Sequence, residues 1–331
     1  MNQLTQRFRQ LRWPTLLGGA LVLVFFVAAG VVFWRDGRAL SEQIDQVDYR
    51  LLLLSFLIEV VGWLLAVPVW QQIVARFDGH VPLRDHFRIY AYSMLGIAVP
   101  GRLWGLVGRT VLYERKGIAS FQIAVASVIE YLLIGLSGLL VFGLTTSFSG
   151  VENLWQRPIV AVISIAAALL LVQPFLFNRM ALWVLRRSQQ VEALPKPTRY
   201  RDLALWLLVE SIVIVIGGTA VYVLFTSLYT PSPQLYLLTI TAWAAAAVAG
   251  NLFFWIPGPV LRDGLMIALL ASALPDSLAL LLVLIVRVWT IGSILILVGL
   301  VWLISNAGKT RFFRNTASKY SPPPSNPPNL T

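Results

Sequence analysis

Cysteine is absent from this chain, which excludes disulfides, thiolate catalysis and cysteine-ligated metals. Histidine is nearly absent too. The two present, His80 and His86, sit six residues apart near one loop, a spacing without metal-site meaning, and no metal site is expected. Charged residues make up only 12% of the 331 positions, about half the share of an average soluble domain. Acids are the scarcer sign, 15 Asp and Glu against 26 Lys and Arg. A surplus of +11 could signal nucleic acid in a soluble protein. In so apolar a chain it reads instead as basic cytoplasmic loops, and no nucleic-acid partner is expected.

What fills the space is apolar: 58% of the residues are hydrophobic, with twelve tryptophans. Several runs reach the roughly 18 residues that carry a helix across a bilayer. Alternating segments of about ten residues, the mark of a membrane β-barrel, are missing. The expected fold class is an all-α polytopic membrane protein. Full spans are predicted at about 14–34, 51–75, 119–144, 158–177, 203–228 and 278–304. The first follows Arg7, Arg9 and Arg12 and is too long for a signal-peptide core, so it is expected to stay as an anchor. Residues 1–13 read as a basic cytoplasmic N-terminus, 14–304 as the membrane domain, and 305–331 as a cytoplasmic, disordered, Pro-rich tail.

Two further apolar regions, 86–116 and 235–274, are broken by Pro100-Gly101 and by Pro257-Gly258-Pro259. Their halves are short and polar, which predicts two re-entrant helical hairpins and eight membrane segments in all. With both termini cytoplasmic, this arrangement leaves 18 basic residues inside and four outside. Two full crossings in place of either hairpin would give the same sidedness, so charge alone leaves that alternative open. The breaks lie 157 residues apart, and at that offset Ser120 matches Ser277, Gly135 matches Gly292, and Glu130 meets Arg287. These coincidences, open to chance in a biased composition, outline repeat units of about 86–144 and 235–304. Three spans between them would make the repeat inverted, a plan whose broken helices mark the substrate site in transporters.

Four bases (Arg102, Arg109, Arg262, Arg287) and four acids (Glu59, Glu130, Glu210, Asp263) then fall in or near the apolar layer. A lone charge at a helix centre costs about 2.5–3.5 kcal/mol, so these groups should pair or face a wet interior. Glu59 and Glu210 read first as structural ion pairs or as residues nearer an interface. The hairpin arginines adjoin broken backbone, where unpaired N–H groups favour anions and a guanidinium can grip a phosphate. Glu130 and Arg287, being equivalent and opposite in charge, are expected to pair directly or to share the substrate cavity; the alternative is that each faces a different partner, such as Arg102 or Asp263.

The stretches "AVPGRLWGLVGRTVLYERKGIASFQIAVASVIEYLL" (98–133), "IPGPVLRDGLMIALL" (256–270) and "LLLVLIVRVW" (280–289) resemble the lysylphosphatidylglycerol synthase transmembrane-region family. Pro100, Gly101, Arg102 and Arg109 match its first motif, with Arg109 displaced by one position. Trp104 and Gly105 stand where the family carries Gly-Glu, and Tyr131 replaces an Arg after Glu130. Pro257, Gly258, Arg262, Asp263 and Gly264 match the second motif, in which Pro259 and Leu261 replace glycines, and Arg287 matches an Arg of the final span. The resemblance implies a flippase-like protein without lysyl transfer, since about 27 residues follow the last expected span. An anionic headgroup, of a phospholipid or a polyprenyl-phosphate-linked precursor, would sit between the hairpin tips against Arg102, Arg109 and Arg262. Glu130, Asp263 and Arg287 would shape that site. No cofactor and no enzymatic activity are implied, and the expected location is a bacterial inner (plasma) membrane. The alternatives are a non-transporting scaffold beside envelope-biosynthesis or glycosylation enzymes, and an intramembrane polyprenyl-phosphate transferase. The transferase would need clustered carboxylates for Mg²⁺, and no D-x-D or D-x-x-D occurs within the expected membrane segments.

Overall fold

The computed structural model describes residues 47–77, 79–98, 103–148, 157–179, 197–253 and 259–319, and among these no strand occurs. Helices α1 (Tyr49–Ala75), α4 (Ser120–Thr146), α6 (Tyr200–Leu228), α7 (Gln234–Leu252) and the first thirty residues of α9 (Asp276–Lys319) are long and apolar enough to cross a membrane. Shorter helices lie between them: α2 (Leu83–Ala98), α3 (Leu103–Glu114), α5 (Arg157–Leu171) and α8 (Gly264–Leu270), the last preceded by a π-helical turn, Pro259–Asp263. The protein is an integral membrane protein. Its outward apolar stripes show why. Leu53, Leu57, Val61 and Leu65 on α1 and Leu205, Leu208, Ile212 and Val215 on α6 are exposed at helical spacing. Water would penalise such stripes, whereas lipid accepts them.

Helix ends follow local chemistry. Asp48 caps α1, its carboxylate accepting from the amides of Arg50 (2.8 Å) and Leu51 (3.3 Å). α3 stops where Gly117 adopts a φ of 83°, and the Ile118 amide returns to the Tyr113 carbonyl (3.2 Å). α5 stops before Pro174, which lacks an N–H and disfavours helix at Gln173.

Four expected spans (51–75, 119–144, 203–228 and 278–304) are found as helices, and 14–34 lies outside the described residues. Three readings need correction. The expected span 158–177 is a 15-residue helix interrupted at Val172–Gln173, for the proline reason just given. The first limb of 235–274 is not too short to span: α7 runs 19 residues. Its alanines and threonines lower its hydropathy but let neighbours approach closely, and 67% of its most apolar window is buried, the highest share of the five long helices. Finally, α9 continues through residues 305–319 of the expected disordered tail, because no proline occurs between Pro275 and Pro322.

The helix contacts have a twofold character. α1 packs on α6. Exchanging α1–α4 for α6–α9 then turns each remaining contact into another that is present: α4 on α7 becomes α9 on α2, α4 on α6 becomes α9 on α1, and α3 on α4 becomes α8 on α9. Among the described helices only α5, which packs on α4, lies outside the scheme. The α2–α3 hairpin opens on one face, where Asp85 at its start meets Lys116 after its end (2.7 Å). On that face Arg76 after α1 meets Asp202 of α6 (2.6 Å), and Arg84 donates to the Ser305 carbonyl (3.2 Å). The second hairpin opens on the opposite face, where Leu235, Leu270 and Leu278 cluster with Val47 and Leu228, and the Asp48 amide donates to the Ser227 carbonyl (2.9 Å).

Glycine contacts fix how closely these helices approach. A Cβ at Gly138 of α4 would lie 3.0 Å from the Ala244 carbonyl oxygen of α7, and one at Gly218 of α6 would lie 2.9 Å from the Ile240 Cα. Both obstacles are backbone and cannot rotate away. Gly138→Ala and Gly218→Ala should each cost about 1–3 kcal/mol in detergent unfolding experiments. Gly108→Ala and Gly299→Ala, which meet nothing within 4 Å, should cost nothing.

Candidate functional site between the two hairpins

Glu59, Glu130 and Glu210 each lie ten residues beyond the first residue of α1, α4 and α6, and Arg287 lies eleven beyond the start of α9. At a rise of 1.5 Å per residue this is about 15–17 Å, half the ~30 Å thickness of a bilayer core. The exchange pairs these four helices, α1 with α6 and α4 with α9, and the side chains gather in two clusters built alike.

In the first cluster Arg109 of α3 is enclosed. Its Nη1 donates to Glu130 of α4 in a buried ion pair, and its Nε donates to Ser93 Oγ of α2 (3.3 Å). Its guanidinium also covers the Trp70 ring at 4.2 Å and the Tyr90 ring at 4.9 Å. Glu210 of α6 is buried within electrostatic reach of Glu130 and Tyr90. The arginine is held by an acid, a hydroxyl and two aromatic faces.

In the second cluster Arg262, at the π turn, covers the Trp243 ring of α7 at 5.0 Å. Nineteen residues separate Tyr90 from Arg109, and nineteen separate Trp243 from Arg262, so each hairpin folds an arginine of its second limb onto an aromatic ring of its first. Glu59 of α1 stands beside Trp243 and lies within electrostatic reach of Arg262; a Cβ at Gly217 would touch Trp243 Nε1 (2.4 Å) and Glu59 Oε2 (3.2 Å). The neighbouring Asp263 accepts from Arg287 Nη1 of α9 (2.6 Å). Arg262 itself forms no hydrogen bond or ion pair among the described residues, and it is partly exposed.

These geometries revise the expected pairing. Glu130 takes Arg109 and Arg287 takes Asp263, each from its own hairpin, in place of a Glu130–Arg287 pair. The polarity is reversed: in one unit the base is on the hairpin, in the other on the span.

The model of the family described as the lysylphosphatidylglycerol synthase TM region matches residues 10–304. The chain belongs to that family. No curated protein and no solved structure matches it. Of the positions carrying the lysylphosphatidylglycerol synthase TM-region motifs, Arg109, Glu130, Asp263 and Arg287 are brought into the two ion pairs and Arg262 lies beside the second. Pro259 opens the π turn. Arg102, Pro100, Gly101, Pro257 and Gly258 lie outside the described residues. Trp70, Tyr90, Ser93 and Trp243 escape sequence reasoning, although the repeated nineteen-residue aromatic-to-arginine spacing is a signal that could have found two of them.

A polar chain ties the first cluster to the basic face. Trp70 Nε1 donates to Tyr113 Oη (2.7 Å), which lies 2.5 Å from His86 Nδ1. The tyrosine, accepting from Trp70, has its own proton to offer His86. Burial pushes His86 down to about 4, partly opposed by the Val81 backbone and by Asp85. A folded-state value below the unfolded 6.5 means that protonation favours unfolding. The contribution is therefore complete above pH 6.5 and fades as pH falls toward 4, by about 3 kcal/mol in all. Thermal unfolding in detergent at pH 7.5 and pH 4.5 should show this loss, and His86→Asn should lose less than the wild type over the same interval.

Proposed function

We propose that the protein moves a lipid or lipid-linked precursor across the bilayer, binding its anionic headgroup between two re-entrant hairpins of an inverted repeat. The observation that carries this reading is Arg262. Arg109 and Arg287 are each committed to a carboxylate, while Arg262 rests on Trp243 with its N–H donors unengaged among the described residues. Glu59 balances its charge from within electrostatic reach but takes no hydrogen bond from it, so its donors can give two parallel hydrogen bonds to a phosphate. The acyl or prenyl tails would stay in lipid, alongside the exposed leucine stripes.

The lengths of the returning limbs support re-entrance. α3 has 12 residues, and the π turn with α8 also has 12 (five and seven). At helical rise each covers about 18 Å, short of the ~30 Å core. The four full spans outside the hairpins (α1, α4, α6 and α9), the expected span 14–34, the interrupted segment 158–177 and the two hairpins would then make eight membrane segments. Under the positive-inside rule the face carrying Arg76, Arg84, Arg115, Lys116, Arg199 and Arg201 would be cytoplasmic, and with 14–34 as a full span both termini would lie on that side. A bacterial inner membrane, with anionic phospholipids or polyprenyl-phosphate-linked molecules as partners, fits this reading.

Reconstitution tests it. Vesicles carrying the protein and a headgroup-labelled anionic phospholipid are treated with a membrane-impermeant quencher. The protein should expose inner-leaflet label that protein-free vesicles protect. Equal protection with phospholipid and with labelled polyprenyl phosphate would leave the scaffold reading in its place.

A further inference from the structure

The two clusters differ in charge although their architecture matches. The second balances: Glu59 and Asp263 against Arg262 and Arg287. The first does not. Arg109 is the one base among its described residues, set against two carboxylates: Glu130, its ion-pair partner, and Glu210, within electrostatic reach of Glu130. Glu130 holds the guanidinium. Glu210 Oε1 is buried with no hydrogen-bond partner, and the residue as a whole is 2% exposed.

We infer that Glu210, together with Glu130, forms a proton-binding site whose loading and release accompany the movement of the headgroup. The inference rests on the transport reading and names its coupling ion. One proton makes the first cluster as neutral as the second. A second unbalanced carboxylate at mid-membrane, beside another acid, has no other inexpensive state. A metal cation is a poorer occupant. The free oxygen has essentially no accessible surface, whereas sodium needs room for several oxygen ligands and a proton needs none.

The groups within electrostatic reach of Glu210 are Tyr90 from α2 and Glu130 from α4, and behind them Arg109 of α3 and Tyr131 of α4 act on Tyr90. On the other helices packed against α6, Glu59 of α1 lies beside Gly217, Tyr236 of α7 lies at Thr219, and α9 carries Arg287 at a similar depth, while Tyr49, Arg50 and Asp276 sit at helix starts. Arg109 is the exchangeable element. As the site alternates and the headgroup leaves Arg262, its competition for the Arg109 guanidinium would draw that base from Glu130 and leave two carboxylates together, which favours proton uptake. Return of Arg109 to Glu130 would favour release. The proton is taken from whichever side the site then faces.

Infrared spectroscopy of the full-length protein in lipid reads this directly, because a protonated carboxyl group has a carbonyl stretch that a carboxylate lacks. The wild type at neutral pH should show such a band, sensitive to deuterium exchange. Glu210→Gln should remove it and Glu210→Asp should shift its frequency, so that a folding failure of one variant leaves the other to decide. In vesicles with an imposed pH gradient, wild-type lipid movement should follow the gradient several-fold faster than with the gradient collapsed, and Glu210→Gln should abolish that difference. Replacing sodium with a large organic cation should leave the rate unchanged. An unaltered band in both variants overturns the proton site whatever the lipid does. A band assigned to Glu210 with no lipid movement in the wild type overturns the transport reading instead. Lipid movement indifferent to the gradient overturns the coupling.

Discussion

Glu130→Gln and Arg109→Gln are each expected to lower stability by about 3–5 kcal/mol, because each leaves one uncompensated charge where the pair is almost wholly buried. The double variant should lose far less than the sum, since two neutral amides carry no isolated charge. Arg109→Gln should be the worse single change, because the guanidinium also covers Trp70 and Tyr90. The other ion pair gives the scale. Arg287 is a third exposed and Asp263 a tenth, so Asp263→Asn and Arg287→Gln should lose less and couple more weakly. Denaturant or thermal unfolding in lipid-like detergent measures all three cycles. Coupling within each pair is expected at about 0.5–3 kcal/mol, and Glu130 with Arg287 should be additive. Coupling between Glu130 and Arg287, with none between Arg109 and Glu130, would mean that the ion pairs cross between units.

That cycle addresses the point where sequence reasoning failed, and the reason is geometric. Equivalent residues of a twofold arrangement meet when their helices lie at the axis. The helices that pack on their own counterparts are α1 and α6, whereas α4 packs on α7 and α9 on α2. Glu130 and Arg287 are equivalent, but they ride on the helices that cross over. The hydropathy of the long spans and the Pro-Gly breaks were readable because each depends on a short window of residues. Which acid meets which base was not, because it depends on the faces that four helices turn toward each other. The polar character of α7 misled for a related reason: its alanines and threonines lower its hydropathy by serving contact with neighbouring helices. The pairing of Tyr90 with Arg109 and of Trp243 with Arg262 spans a break in each hairpin, where helical periodicity carries no information.

Arg262→Gln is expected to abolish protein-dependent lipid movement while leaving the folded protein intact. Two features separate it from the other arginines. It carries no ion pair among the described residues, so its loss strands no carboxylate in direct contact, and glutamine can still lie across the Trp243 ring. The stability change should stay well below that of the buried Arg109–Glu130 pair, since it removes one partly exposed cation–π contact and a charge that reaches Glu59 without an ion pair. Transport is another matter. A phosphate entering the membrane centre gives up hydration, and a guanidinium replaces it with two parallel charge-assisted bonds that one amide cannot match. Lysine keeps the charge but not the planar fork, so Arg262→Lys should retain a fraction of the rate, with a preference for headgroups bearing an unesterified phosphate. Trp243→Leu should fall between them, removing the ring on which the guanidinium rests but not its charge. Rates measured in vesicles with labelled phosphatidylglycerol and phosphatidylcholine would rank the four proteins. Full activity in Arg262→Gln would exclude Arg262 as the headgroup ligand, and loss of activity only in step with loss of folded protein would assign it a structural part.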